Sequence, residues 1–370
     1  MEQTRRHIAY LDYLRIGGAM AVVYMHTAAE GLRGEVGLGW HAMNCLTSLA
    51  FTAVPLFFMI SGFLLLSDPK TLQVGRLLRR RLPRLIAPLA FWSAFCVLFN
   101  AYTASYDISA FAEELFGALY EPVQQPLWFL YTLIPLYLLS PLLCGGVQTL
   151  SQRDGRRYIS ALTALVSLRY MLAALLPKRF AHYLALDLIG RLQILGGYLL
   201  LFLLGYYLGT LERRINDRLL LLAALATYAV ILLGTWRLTL RDGSYNAAFQ
   251  NQSAGFEVLL ASCLFLLAKQ NADKDCTLLH RIPAAPLCFP VYLMHGPVLS
   301  IFYHYGIYPI RFRSVVLYTV LNLVLCYFGA KTLATIKPLC FLTTGIPYER
   351  ACASCNWVYT FRRLRAADER

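Results

Sequence analysis

The chain has 370 residues, of which 58% are hydrophobic and only 15% charged, and its mean hydropathy is +0.53. A soluble domain carries about 25% charged residues, so this composition excludes an ordinary soluble fold. The net charge of +14 does not mark a nucleic-acid binder either: the basic residues stand in short clusters between apolar runs, the pattern of cytoplasmic loops in a membrane protein.

A chain of this length holds roughly ten apolar spans of about 20 residues. The first runs from about Ile8 to Ala28. It follows Arg5 and Arg6, lacks a small-residue cleavage site, and reads as a retained signal anchor. After a glycine-rich loop, span two covers Met43 to Leu66 and contains VPLFFMISGFLLL. A basic cluster (Lys70, Arg76, Arg79, Arg80, Arg81, Arg84) precedes span three, Leu85 to Tyr102. An acidic loop with Asp107, Glu113, Glu114 and Glu121 leads to span four, Leu127 to Leu143. Arg153, Arg156 and Arg157 precede span five, Tyr158 to Leu176, which Pro177 closes. Span six is Leu192 to Leu211, followed by Arg213, Arg214 and Arg218. Spans seven to ten are Leu219 to Trp236, Gly255 to Ala268, Leu287 to Tyr303 and Val315 to Ile336.

Loop charge alternates along this series. Lys and Arg number about 23 in the N-terminus, the even-numbered connections and the tail, against about seven in the opposite loops, which by the positive-inside rule puts both termini in the cytoplasm. The expected fold class is therefore all-α: a polytopic integral membrane protein of about ten transmembrane helices. Residues 1–340 form one membrane domain and 341–370 a short basic cytoplasmic tail. The ten cysteines are scattered, several within apolar runs where a thiol packs as a small hydrophobe. The one C-x-x-C, Cys352 with Cys355, has no second pair to make a zinc site, and no metal is expected.

Charged groups inside apolar spans are costly and usually mark function or a buried pair. Here they are Asp12, Arg15, His26, Arg169, Arg191, Glu257, His295 and Lys331. Asp12 and Arg15 are three apart and meet on one helix face. His26 follows Arg15 by eleven residues, about three turns and about 16 Å of rise, so both point to nearly the same side at two depths. Three such groups on one helix are either a neutralised pair with a core histidine or a functional path. Lys331 is expected to snorkel to the interface, and Glu257 to lie near the outer end of span eight within reach of water. Arg169 and Arg191 either pair with carboxylates or line the cavity. The basic run before span three serves topology, and in RLPRLIAP the arginines abutting the membrane also suit phosphate, which guanidinium binds bidentately.

At these residues the chain resembles membrane acyltransferase family 3, the bacterial O-acyltransferases of cell-surface glycans. The family's most specific mark is Arg, ten residues, then His on the first span, as in Arg15 and His26. The preceding LDYLR, then VPLFFMISGFLL, RRRLPRLIAP, LWFLYTLIPLYLLSPLL and VYLMHGP follow in family order, over about Ile8 to Ile336. The resemblance implies transfer of an acetyl or similar acyl group from cytoplasmic acyl-CoA, acetyl-CoA by default, to a hydroxyl of a lipid-linked or surface carbohydrate, in the cell membrane among its lipids. It implies that two arginines of the run before span three are functional; Arg81 and Arg84 fit by their Arg-x-x-Arg spacing before the proline.

A hydroxyl needs a base, and histidine's unperturbed pKa of about 6.5 suits that task. His26 is the expected general base or, alternatively, a transient acyl carrier. Arg15 would orient its surroundings or hold the donor, with Asp12 fixing Arg15. His295 is either a second member of the site or an interfacial histidine before Gly296 and Pro297. Trp128 and Tyr131 either stack on sugar or sit as interfacial aromatics. The competing class is a transporter or flippase of polysaccharide or lipid-linked glycan, since polytopic bundles with a few buried charges fit that too.

Overall fold

The computed structural model describes residues 2–175, 193–272 and 285–368. Every regular element among them is helical. In chain order the main helices are α1 (Glu2–Leu32), α2 (Leu38–Ala50), α3 (Ala53–Leu66), α4 (Pro83–Ala104), α5 (Ile108–Gly117), α6 (Trp128–Thr149), α7 (Gln152–Leu175), α8 (Gln193–Gly209), α9 (Asp217–Asp242), α10 (Gly255–Gln270), α11 (Cys288–His304), α12 (Phe312–Leu333), α13 (Lys337–Thr344), α14 (Tyr348–Ser354) and α15 (Trp357–Asp368).

Helices occupy the predicted segments within the described residues. Among the described residues, six helical stretches are long and apolar enough to cross a membrane: Leu38–Leu66, Val74–Ala104, Gln125–Thr149, Asp217–Asp242, Ala285–His304 and Phe312–Leu333. α1 and α10 fall short for identifiable reasons. Asp12, Arg15 and His26 dilute the hydropathy of α1. α10 has 16 residues, about 24 Å of helix against a hydrocarbon core of about 30 Å. Span two is divided at Phe51 and Thr52. Pro55 has no N–H to give the Phe51 carbonyl, so the α-helical ladder breaks four residues before it, and Phe51 and Thr52 instead close a turn onto Thr47 and Leu49.

The chain forms two compact units. One comprises residues 1–73, 139–275 and 309–315; the other comprises 74–138, 276–308 and 316–370. In the first unit the closest crossing is α3 on α8. A β-carbon at Gly62 would overlap the Phe202 backbone, and one at Gly205 would overlap Met59; only glycine lets the two main chains approach so far, the small-residue logic of membrane helix pairs. α1 packs on α2, α3 and α10. Tyr10 meets Phe265 edge to face at 5.9 Å, and Trp40 donates from Nε1 to the Leu32 carbonyl at the end of α1 (3.0 Å). A buried amide network ties α2 to the loop before α10. Gln250 donates to Asn44 (2.9 Å) and Ser48 (2.8 Å), Asn44 donates to the Leu232 carbonyl (3.2 Å), and the Tyr245 hydroxyl donates to Gln250.

In the second unit α4 is continuous with an unusual entrance. Leu77–Arg81 is a π-turn, closed by the Leu82 N–H on the Leu77 carbonyl (3.0 Å). Pro83 explains it: its ring crowds the carbonyl four residues back, and a wider turn relieves that clash. The segment after Ile336 is folded. Cys340, Thr343, Thr344, Ala351, Cys355 and Asn356 are buried, and Asn356 donates to the Ala334 carbonyl (3.2 Å). Lys331 does not snorkel. It is 5% exposed, with its Nζ 4.2 Å from the centre of the Trp357 ring and 5.7 Å from that of Tyr327. The cation is held by aromatic faces, one of which arrives from α15.

Candidate active site

Asp12, Arg15 and His26 all lie on α1, in the first unit. Arg15 donates from Nη1 to Asp12 Oδ1 at 3.0 Å, and the two side chains are 33% and 37% exposed. One single-point contact at that exposure adds only about 0.3–0.5 kcal/mol to stability, so its use is to aim the guanidinium. His26 lies three turns beyond Arg15 on nearly the same face and is half-buried. Between them Gly18 is pressed by the Phe57 ring; a β-carbon there would come to 2.8 Å from Phe57 Cζ. Glycine therefore lets α3 close on the α1 face that carries Arg15 and His26. The structure brings Asp12 and Arg15 together and keeps Arg15 and His26 apart along one helix.

Arg81, Arg84, Trp128, Tyr131 and His295 belong to the second unit. Across the π-turn Arg79 and Arg80 are exposed, whereas Arg81 and Arg84 are half-buried. His295 is fully buried on α11. Its Nδ1 meets the Tyr292 carbonyl one turn back, and its own carbonyl accepts from Asn322 Nδ2 of α12 (3.1 Å). Gly296 follows because Gln124 lies against it: a β-carbon there would come to 2.5 Å from Gln124 Oε1. Gln124 then donates to Ser300 Oγ (2.5 Å), and the Tyr292 hydroxyl donates to the Pro126 carbonyl. The QPLW turn and VYLMHGP thus form one polar cluster around a buried histidine. Trp128, half-buried, opens α6 beside this turn. Tyr131 has its hydroxyl engaged by the Ala118 carbonyl (2.5 Å), which leaves its ring face as the part available to a ligand.

One group here differs from the sequence expectation. Glu257, expected within reach of water, is 0% exposed in the first turn of α10, and neither carboxylate oxygen has a hydrogen-bond partner among the described residues. Arg169 is half-buried and lies over the Tyr170 ring at 5.4 Å. Arg191 is outside the described residues. Cys355 is buried, and Cys352 accepts a hydrogen bond from Asn356 (3.2 Å). Sequence reasoning passed over Gln124, whose only sign was its place beside Pro126 and Trp128.

Among known proteins, the family model described as an acyltransferase domain matches residues 8–331. No curated protein and no solved structure matches the chain significantly. The matched stretch contains α1 with its Arg15 and His26, the arginine run before α4, the Trp128 turn and the His295 helix, so on the strength of a match over most of its length the chain belongs to acyltransferase family 3.

Proposed function

We propose that this membrane acyltransferase moves an acetyl or similar acyl group from cytoplasmic acyl-CoA to a hydroxyl of a lipid-linked or surface carbohydrate, in the cell membrane. The observation that carries the reading is the α1 face bearing Arg15 and His26 about 16 Å apart within a matched acyltransferase domain. The proposed topology is ten spans with both termini in the cytoplasm, as the alternation of loop charge favours.

In the proposed reaction His26 takes the proton from the acceptor hydroxyl. The oxygen attacks the thioester carbonyl, the carbon–sulfur bond breaks, and the proton passes to the leaving CoA thiolate. The product is an ester and free CoA, and His26 ends neutral. Arg15, aimed by Asp12, holds the donor. Arg81 and Arg84 hold donor phosphates, for which a planar guanidinium is suited. Trp128 and the ring of Tyr131 stack on the sugar, and His295 lines the acceptor.

The test uses purified full-length protein in nanodiscs, supplied with radiolabelled acetyl-CoA and host glycan. Wild type transfers label; His26→Ala and Arg15→Ala, at equal levels and equal melting temperature, lose at least about a hundredfold of the rate. Full transfer by His26→Ala would remove the base assignment. A transporter moves no acyl group in this assay at all.

A further inference from the structure

α15 is fastened to the end of α12. Asn356 caps it: Asn356 Oδ1 accepts from the Tyr359 N–H (3.1 Å), and its Nδ2 donates to the Ala334 carbonyl (3.2 Å). Trp357 donates from its main-chain N–H to Thr335 Oγ1 (3.2 Å) and from Nε1 to Thr332 Oγ1 (3.1 Å). These bonds fix where α15 starts and lay the Trp357 ring nearly parallel to that of Phe328, at 5.8 Å and 11°. Phe361, one turn on, stacks beside Trp357 at 6.1 Å and 29°. The three rings run in a row from α12 onto α15.

Phe328 belongs to the outward side of a helix long and apolar enough to cross a membrane. Leu317, Leu321, Val324 and Phe328 recur at helical spacing and are all exposed. Such a row of exposed apolar side chains on a membrane-length helix is the face that lipid covers. Phe361 extends the row beyond the span and is 58% exposed. Arg365 follows Phe361 by four residues, on the same helix face, and Arg362 flanks it; both are exposed. An aromatic strip continuous with a lipid-facing row and edged by arginines has the makeup of a helix in the headgroup layer, rings toward the acyl boundary and guanidinium groups among phosphates. We propose that α15 is an interfacial helix that binds the anionic lipid surface beside α12, with Phe361 at the acyl boundary and Arg362 and Arg365 on headgroup phosphates. The helix lies outside the matched acyltransferase domain, so the inference is independent of the proposed donor and acceptor.

The test places p-benzoylphenylalanine, a photo-crosslinker that inserts into nearby C–H bonds, at Phe361 or, as reference, at Leu317 of the full-length protein. The protein is irradiated in nanodiscs of phosphatidylcholine with a minority of phosphatidylglycerol, and its adducts are read by mass spectrometry. The Leu317 probe is expected to carry the two lipids in their bulk ratio. The Phe361 probe is expected to carry lipid with the ratio of phosphatidylglycerol to phosphatidylcholine raised at least about fivefold, the effect of about 1 kcal/mol for one arginine at an anionic surface. Arg362→Gln with Arg365→Gln, or high salt, returns the ratio to bulk, whereas Arg362→Lys with Arg365→Lys keeps the enrichment. No lipid adduct at Phe361 overturns the inference, and so does crosslinking to a second copy of the chain, which would make this face an interface between protomers. Lipid adducts in the bulk ratio overturn the anionic recognition, as does an enrichment that survives the double glutamine variant at equal melting temperature.

Discussion

Asp12→Asn separates aiming from folding on α1. The substitution keeps shape and hydrogen-bonding capacity but removes the charge that faces Arg15. The contact it weakens is a single 3.0 Å hydrogen bond between side chains about one third exposed. Such an i,i+3 pair contributes about 0.3–0.5 kcal/mol, which in a chain of several hundred residues corresponds to about 1–2 °C in melting temperature. The effect on rate is expected to be far larger, because a displacement of about 1 Å at a positioning group costs on the order of a hundredfold. Melting in detergent and acetyl transfer in nanodiscs are measured on the same preparation. A rate loss of tenfold or more with an unchanged melt supports Asp12 as the residue that positions Arg15. Full activity in Asp12→Asn refutes the reasoning, and so does a melt lowered by more than about 5 °C, which would make the pair a structural element.

Two further outcomes follow from the buried charges. Glu257→Gln replaces a carboxylate that has no hydrogen-bond partner among the described residues with a neutral group of the same shape. Since an unpaired buried charge is costly, the melting temperature is expected to hold or rise; a fall of more than about 5 °C in a detergent melt would show that the carboxylate has a partner after all. Trp357→Ala removes the ring 4.2 Å from Lys331 Nζ and is expected to cost about 2 kcal/mol through that contact alone. In a double-mutant cycle with Lys331→Met the coupling should be of that size, and simple additivity of the two melts would mean that the cation and ring do not interact.

The helical pattern was legible because apolar runs and loop charge need no knowledge of partners. The Arg15–His26 face was legible because an α-helix fixes the angle between residues eleven apart. Pro55 and Pro88 also spoke from the sequence in principle: each removes a named hydrogen bond, and the chain breaks at Phe51 while Gly345 seats against the Arg84 carbonyl. What stayed hidden were partners distant along the chain. Lys331 reads as an interfacial lysine until Trp357, well beyond it in sequence, lies over its ammonium group. Glu257 reads as wet because nothing local states what covers the first turn of α10. Gln124 carries no periodic signal, and its role depends on Gly296 and Ser300 arriving from α11.

The glycine crossing of α3 and α8 has a consequence for biogenesis. Gly62 emerges from the ribosome about 140 residues ahead of Phe202, the residue whose backbone it must meet. At about 5–20 residues per second that interval is on the order of ten seconds. Throughout it α3 sits in the bilayer with a bare strip of main chain facing lipid and no helix to cover it. The first unit therefore closes late, when α8 docks, and α3 must remain unclaimed by other helices until then. Substitutions at Gly62 or Gly205 would act at this assembly step, and their signature is full-length protein that is degraded at the membrane before it has performed any chemistry.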